Sequence, residues 1–246
     1  MAGVDYTRAM ARESGALVVA ARAAGVDAEV PPCPGWDVHD LVLHASTTHR
    51  WAATQVRARA TSFRRAELGA VPDDRDAIFD WFAAGAADFV GLLDATDPEE
   101  PVWSWGGDHH ARFWARRMAL ETAVHAWDAS AAAGSPVPID GALAVDGLDE
   151  ALENLPFMAT FRPEIAELEG AGETMHLHAT DRDGEWLIRL VPDGVEWSHG
   201  HAKGDVAARG TASDLWLFAV GRVPPDQLAV FGDRALLDRW QRHFAF

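Results

Sequence analysis

Three residues of this chain have types and spacing suited to holding a metal ion: His44, Glu121 and His125. Glu121 and His125 are four apart in LETAVHAWD, so on a helix they share one face and reach a common point. His44 closes the apolar run DLVLH, and two helices of a bundle can aim ligands at one interior site. His, His and Glu with an open fourth position is the donor set of a catalytic zinc site, and the open position accepts water or a thiolate. The spacing alone also fits a solvated ion pair, and His44 alone fits a satisfied core histidine. Their neighbours favour the metal: Val42, Leu43, Met118, Ala119, Leu120, Ala123 and Val124 are small or apolar, and buried ionisable groups need partners.

Other residues bear on the same chemistry. His49 lies about 140° around a helix from His44 and reads as a surface residue. Asp128, three residues after His125, either orients that imidazole or is a helix-surface carboxylate. His109 and His110 end the aromatic, glycine-rich stretch VWSWGGDHH just before the Glu121 helix. His110 is a candidate general acid or base, or a trap for a substrate carboxylate, against the reading of an exposed loop histidine. Arg116 and Arg117 suit bidentate carboxylate binding, and Arg117 is the candidate for a cofactor contact. Cys33, between prolines ahead of a helix start, stands where a thiol is acidified, yet a lone cysteine is usually a small buried hydrophobe and is read as structural. No phosphate-binding glycine loop and no G-x-S-x-G elbow is present.

Helices must position these groups. Apolar periodicity predicts helices over 4–24, stopped by Gly25; 38–60, capped by Asp37 with Asp40 at its third position; from about 72–74 to the break at 96–101; and 111–133, stopped by Gly134. Four long helices suggest a bundle. Beyond Ser135-Pro136-Val137-Pro138 the pattern changes. Asp140 caps a fifth helix to about 155. Strands are expected at 174–180, 185–191 and 195–199, joined by the hairpin signals Asp183-Gly184 and Asp193-Gly194. Helices are expected at 212–220 and 234–244. The expected class is α+β: a four-helix bundle over residues 1–140 and a small α+β domain over 141–246.

The chain has 246 residues, 48% hydrophobic and 24% charged, as in soluble globular proteins. Its net charge of −17, from 21 basic and 38 acidic residues, repels phosphate backbones and anionic lipid, which argues against nucleic-acid and membrane partners. A single cysteine excludes an intramolecular disulfide, and the first residues show no secretory signal, so a cytoplasmic protein is expected. So acidic a surface suits a monomer. Eleven tryptophans against one tyrosine is unusual, but composition does not separate core from pocket.

The stretches PPCPGWDVHDLVLH and FWARRMALETAVHAWDASAAAGSPVPID, with DGLDEALENLP and RGTASDLWLFAVGR, resemble the mycothiol-dependent maleylpyruvate isomerase family along essentially the whole chain. The resemblance implies a DinB-like metal-binding bundle followed by a sterol-carrier-like α+β domain. It places the family's zinc ligands on His44, Glu121 and His125, and its late arginine, implicated in cofactor binding or catalysis, on Arg222. With a thiol cofactor, an internal Cys33 nucleophile would be redundant. The implied activity is zinc-dependent addition of mycothiol to an electrophilic substrate, as cis–trans isomerase of a maleylpyruvate-like diacid or as S-transferase. Two alternatives stay open: a thiol-independent zinc hydrolase or lyase, and a non-catalytic metal-dependent small-molecule-binding protein.

Overall fold

The computed structural model describes residues 3–244 and divides into two compact units after Val137. The N-terminal unit contains α1 (Tyr6–Ala24), α2 (Val38–Arg57), α3 (Ile78–Asp94) and α4 (Ala111–Ala132). Local chemistry fixes their ends. Asp5 accepts from Arg8 N to start α1, and Gly25, at φ +92°, ends it in a conformation that side chains avoid. Asp37 and Asp40 form a reciprocal capping box at the start of α2. The third helix begins later than expected: the Pro72-Asp73-Asp74 stretch precedes a turn, and α3 starts at Ile78 without a side-chain cap.

Helix α4 is central to this unit. Fifteen of its 22 residues are buried, spread around its whole circumference, as expected of a helix surrounded by others rather than lying on a surface. It packs on α1 and α2, while α3 covers α1 and α2. Leu17, Val38, Leu41, Val42, Phe79, Phe82 and Ala129 belong to one core cluster. Toward the α4 N-terminus, Trp51, Trp103, Trp114 and Phe63 pack edge-on or tilted at 5.1–6.4 Å between ring centroids. Trp114 is fully buried and donates its Nε1–H to Trp103 O at 2.9 Å. Several tryptophans are thus core.

The C-terminal unit contains α5 (Gly141–Met158), β1 (Thr174–Ala179), β2 (Glu185–Val191), β3 (Gly194–His199), β4 (Val206–Gly210), α6 (Ala212–Ala219), β5 (Ala229–Gly232) and α7 (Arg234–Phe244). Asp140 caps α5, and both Asp-Gly turns close antiparallel hairpins, β1 with β2 and β2 with β3. Two strands were not expected: β4 pairs parallel to β1 and β5 antiparallel to β4, giving the order β3-β2-β1-β4-β5. Both are short, and β4 meets β1 across a long sequence separation, so neither carries a hairpin signal. Met175, Leu177 and Ala179 of β1 and Trp186, Ile188 and Leu190 of β2 are buried, with α6 against β1 and β4.

Candidate metal centre

Helix α2 supplies His44 and α4 supplies Glu121 and His125. One ligating atom from each lies within 4.8 Å of the other two. Glu121 Oε1 is 3.3 Å from His44 Nε2 and 3.2 Å from His125 Nε2, and the two imidazoles meet edge-on at 5.0 Å between centroids. Trp36 packs on the other side of His44 at 5.1 Å. Among the three, His44 is the most open, with 40% of its side chain exposed against 6% for His125, so the site is approached past His44.

The surroundings shift the ionisation of Glu121 and His125. Burial opposes ionisation of Glu121, but Arg117, His125 and His44 outweigh it and hold the carboxyl well below its ordinary range. Arg117 ion-pairs with the other oxygen, Oε2, leaving Oε1 to the histidines. Burial likewise opposes charge on His125, yet its bonds to Asp128 and Glu121 raise its pKa to about 9. Asp128 is fully buried and accepts from His125 Nδ1 at 3.0 Å, which directs Nε2 toward Glu121 and His44. That is how a carboxylate orients a metal-binding imidazole. Cys33 adds a further link, its thiol donating to Asp128 Oδ2 at 3.5 Å. Two imidazole nitrogens and a carboxylate oxygen, converging in a half-buried site with an acid behind one histidine, are donors suited to zinc. The atoms present fit the ion.

His49 differs from its expected surface position. It is 1% exposed, beneath Phe82 and Phe89, because α2 is covered by α3 as well as α4. Thr122 Oγ1 donates to Met118 O, so the 2.7 Å contact between them has His49 Nε2 as donor to Thr122. Burial lowers the His49 pKa to about 3, keeping it neutral. Its Nε2 is bonded to Thr122, and it is not among the residues whose donor atoms gather with His44.

His110 is the N-cap residue of α4, and its Nδ1 lies 2.6 Å from Asp108, which also accepts from Arg112 Nε at 2.7 Å. Eleven residues of helix, about 16 Å, separate it from Glu121, so the structure does not bring it to the ligands. His109 is folded into its own loop against Ser104. Arg222 lies in the C-terminal unit, where its Nη1 donates to Val220 O at 3.2 Å. A group given no weight from the sequence, His176, His178, Glu185 and His201, also gathers in that unit. Its signal was a histidine pair two apart in a strand, with a glutamate seven residues on across a hairpin.

The fold and site define a two-unit α+β protein with a His-His-Glu centre inside a helical bundle. Family models match residues 7–130 as the mycothiol maleylpyruvate isomerase N-terminal domain and residues 142–239 as the MDMPI C-terminal domain. The chain therefore belongs to the mycothiol maleylpyruvate isomerase family, a family of enzymes. Its fold is similar to that in crystal structures of the mycothiol-dependent maleylpyruvate isomerase and of a histidine-to-alanine mutant of it. Each has a TM-score of 0.63 at 13% identity, over 92% of this chain and 91% of the other. No curated protein matches the sequence. No helix among the described residues is long and apolar enough to cross a membrane.

Proposed function

We propose that this chain is a zinc-dependent enzyme that adds a small thiol, mycothiol by family, to an electrophilic carbon–carbon double bond of a maleylpyruvate-like diacid. The observation that carries the reading is the convergence of His44, Glu121 and His125 from two helices within a chain of this family. These three residues would hold the ion, which supplies an open position where a thiol is held as its nucleophilic thiolate. Asp128 fixes the face that His125 presents, and Arg117 neutralises Oε2 of Glu121 so that Oε1 stays available. Trp36 packs against His44, and buried α4 side chains flank Glu121 and His125. Elimination of the thiol after bond rotation makes the reaction a cis–trans isomerisation, and retention of the thiol makes it an S-transfer.

Proposed contacts to the thiol or its substrate beyond the ligands are Arg117, beside Glu121, and Arg222. His110, three turns from Glu121, is assigned to a distal part of a bound molecule rather than to a proton at the reacting atoms.

The test is zinc content and thiol-dependent turnover of the purified protein beside His44→Ala and Glu121→Ala. Each variant should lose one zinc equivalent relative to the parent, together with turnover, while keeping its far-UV circular dichroism. Unchanged zinc content in both would remove the centre. Turnover that persists after low-molecular-weight thiol is withdrawn would favour zinc-assisted hydrolysis or lysis instead.

A further inference from the structure

The β1–β2 hairpin and the turn after β3 carry a second set of potential ligands, separate in sequence and in unit from the first. Side chains alternate across a strand. Met175, Leu177 and Ala179 face the core, so His176 and His178 share the opposite face of β1. The register sets Glu185 of β2 directly across from His178, within reach of both histidines. The chain must then pass from β3, beyond β2, to β4, on the far side of β1. It does so in residues 200–205, which bring His201 back over the hairpin. Gly204 permits this close passage: a Cβ there would stand 3.0 Å from His176 N and 2.7 Å from Val206 O.

The result is one carboxylate faced by three imidazoles. Glu185 Oε2 lies 3.3 Å from His176 Nε2 and 2.9 Å from His201 Nδ1, and Oε1 lies 2.8 Å from His178 Nδ1. The ligating atoms of all four residues lie within 4.8 Å of one another. A tetrahedral zinc with bonds of about 2.1 Å holds its donors about 3.4 Å apart; the 3.3 Å from Glu185 Oε2 to His176 Nε2 is close to that, and the two shorter contacts are hydrogen bonds that an ion would replace. In the one other triplet with ligand spacing among the described residues, Asp37, His39 and Asp40, the two carboxylates are engaged in the α2 capping box.

We propose that His176, His178, Glu185 and His201 form a second divalent-metal site, taking zinc, that pins the 200–205 connection to the sheet. Four protein donors complete a tetrahedral shell, so the site is structural, in contrast to the open three-ligand centre of the bundle. Side-chain exposure of 79% at His201 provides the entry path.

The experiment titrates zinc into chelator-stripped full-length protein, with bound metal counted by elemental analysis. The parent should take two equivalents, His44→Ala/Glu121→Ala one, His178→Ala/His201→Ala one, and the fourfold variant none. Cobalt bound to His44→Ala/Glu121→Ala should show the visible d–d bands of tetrahedral nitrogen–oxygen ligation, lost on adding Glu185→Gln, and zinc should raise the Tm of that same double variant. His178→Ala/His201→Ala should keep its thiol-dependent turnover, so failure of this site is distinguishable from failure of the catalytic one. A folded His44→Ala/Glu121→Ala protein that binds no zinc overturns the proposal, as does a second equivalent that survives both His178→Ala/His201→Ala and Glu185→Gln. If His44→Ala/Glu121→Ala does not fold, the parent and His178→Ala/His201→Ala decide: two equivalents falling to one supports the site, and no change refutes it.

Discussion

At the scale of single residues, the bundle centre rests on groups that fix one another. Asp128 is the clearest: fully buried, it has His125 Nδ1 at 3.0 Å and the Cys33 thiol at 3.5 Å. Asp128→Asn keeps the shape and removes the charge, and zinc affinity at the bundle site should fall about 10–100-fold in competition with a chromophoric chelator. Equal affinity would remove Asp128 from the positioning role. His49 gives a second prediction. Its pKa drops from an ordinary 6.5 to about 3 through burial, so below 6.5 the unfolded chain takes a proton that the folded chain refuses. Stability should therefore fall as pH decreases from 6.5 toward 3, by up to roughly 1.4 kcal/mol per pH unit from this residue. Urea unfolding between pH 7 and pH 5 should show a shallower slope in His49→Gln than in the parent. His49 also shows what spacing leaves open: a helix wheel gives its angle from His44, and only the packing of α3 over α2 decides that this angle points inward.

At the scale of elements, end chemistry and close packing set the stability. The Asp37 carboxylate accepts from Asp40 N at 2.9 Å and pairs with Arg75. Asp37→Ala should cost about 1 kcal/mol through loss of the α2 cap, read from the urea midpoint at an unchanged m-value. In the C-terminal unit, Gly147 of α5 lies under the indole of Trp216 in α6: an added Cβ would be 2.3 Å from Trp216 Cε2, and that ring is 2% exposed. Gly147→Ala gains about 1 kcal/mol of helix propensity but forces an overpacked contact costing about 1–3 kcal/mol. A lower Tm is expected, and a raised one would show that α6 moves freely. Helix limits were legible in the sequence to within a few residues where end signals were read, at Gly25, Asp37 and Asp140. The start of α3, which has no side-chain cap, was not.

At the scale of the whole molecule, charge dominates. A net −17 on 246 residues is self-repulsive in the compact state. Added salt shortens the reach of that repulsion to about 8 Å at physiological ionic strength. Thermal unfolding should therefore shift upward between low-salt buffer and about 0.15 M salt, and a Tm that falls would mean that favourable ion pairs such as Arg75–Asp37 outweigh the repulsion.

What the sequence by itself determined is whatever short-range chemistry encodes: the helix caps, the two Asp-Gly hairpins, the change of pattern near Pro138, and the Glu121–His125 pair on one helical face, with the family carried by long matched stretches. Only the tertiary structure decided the rest. That His44 meets that pair depends on how α2 packs on α4, 77 positions away in the chain. Burial of His49 depends on α3. The strands β4 and β5, and the gathering of His201 with His176, His178 and Glu185, depend on a connection that crosses two strands, through contacts between residues far apart in sequence that no local pattern specifies.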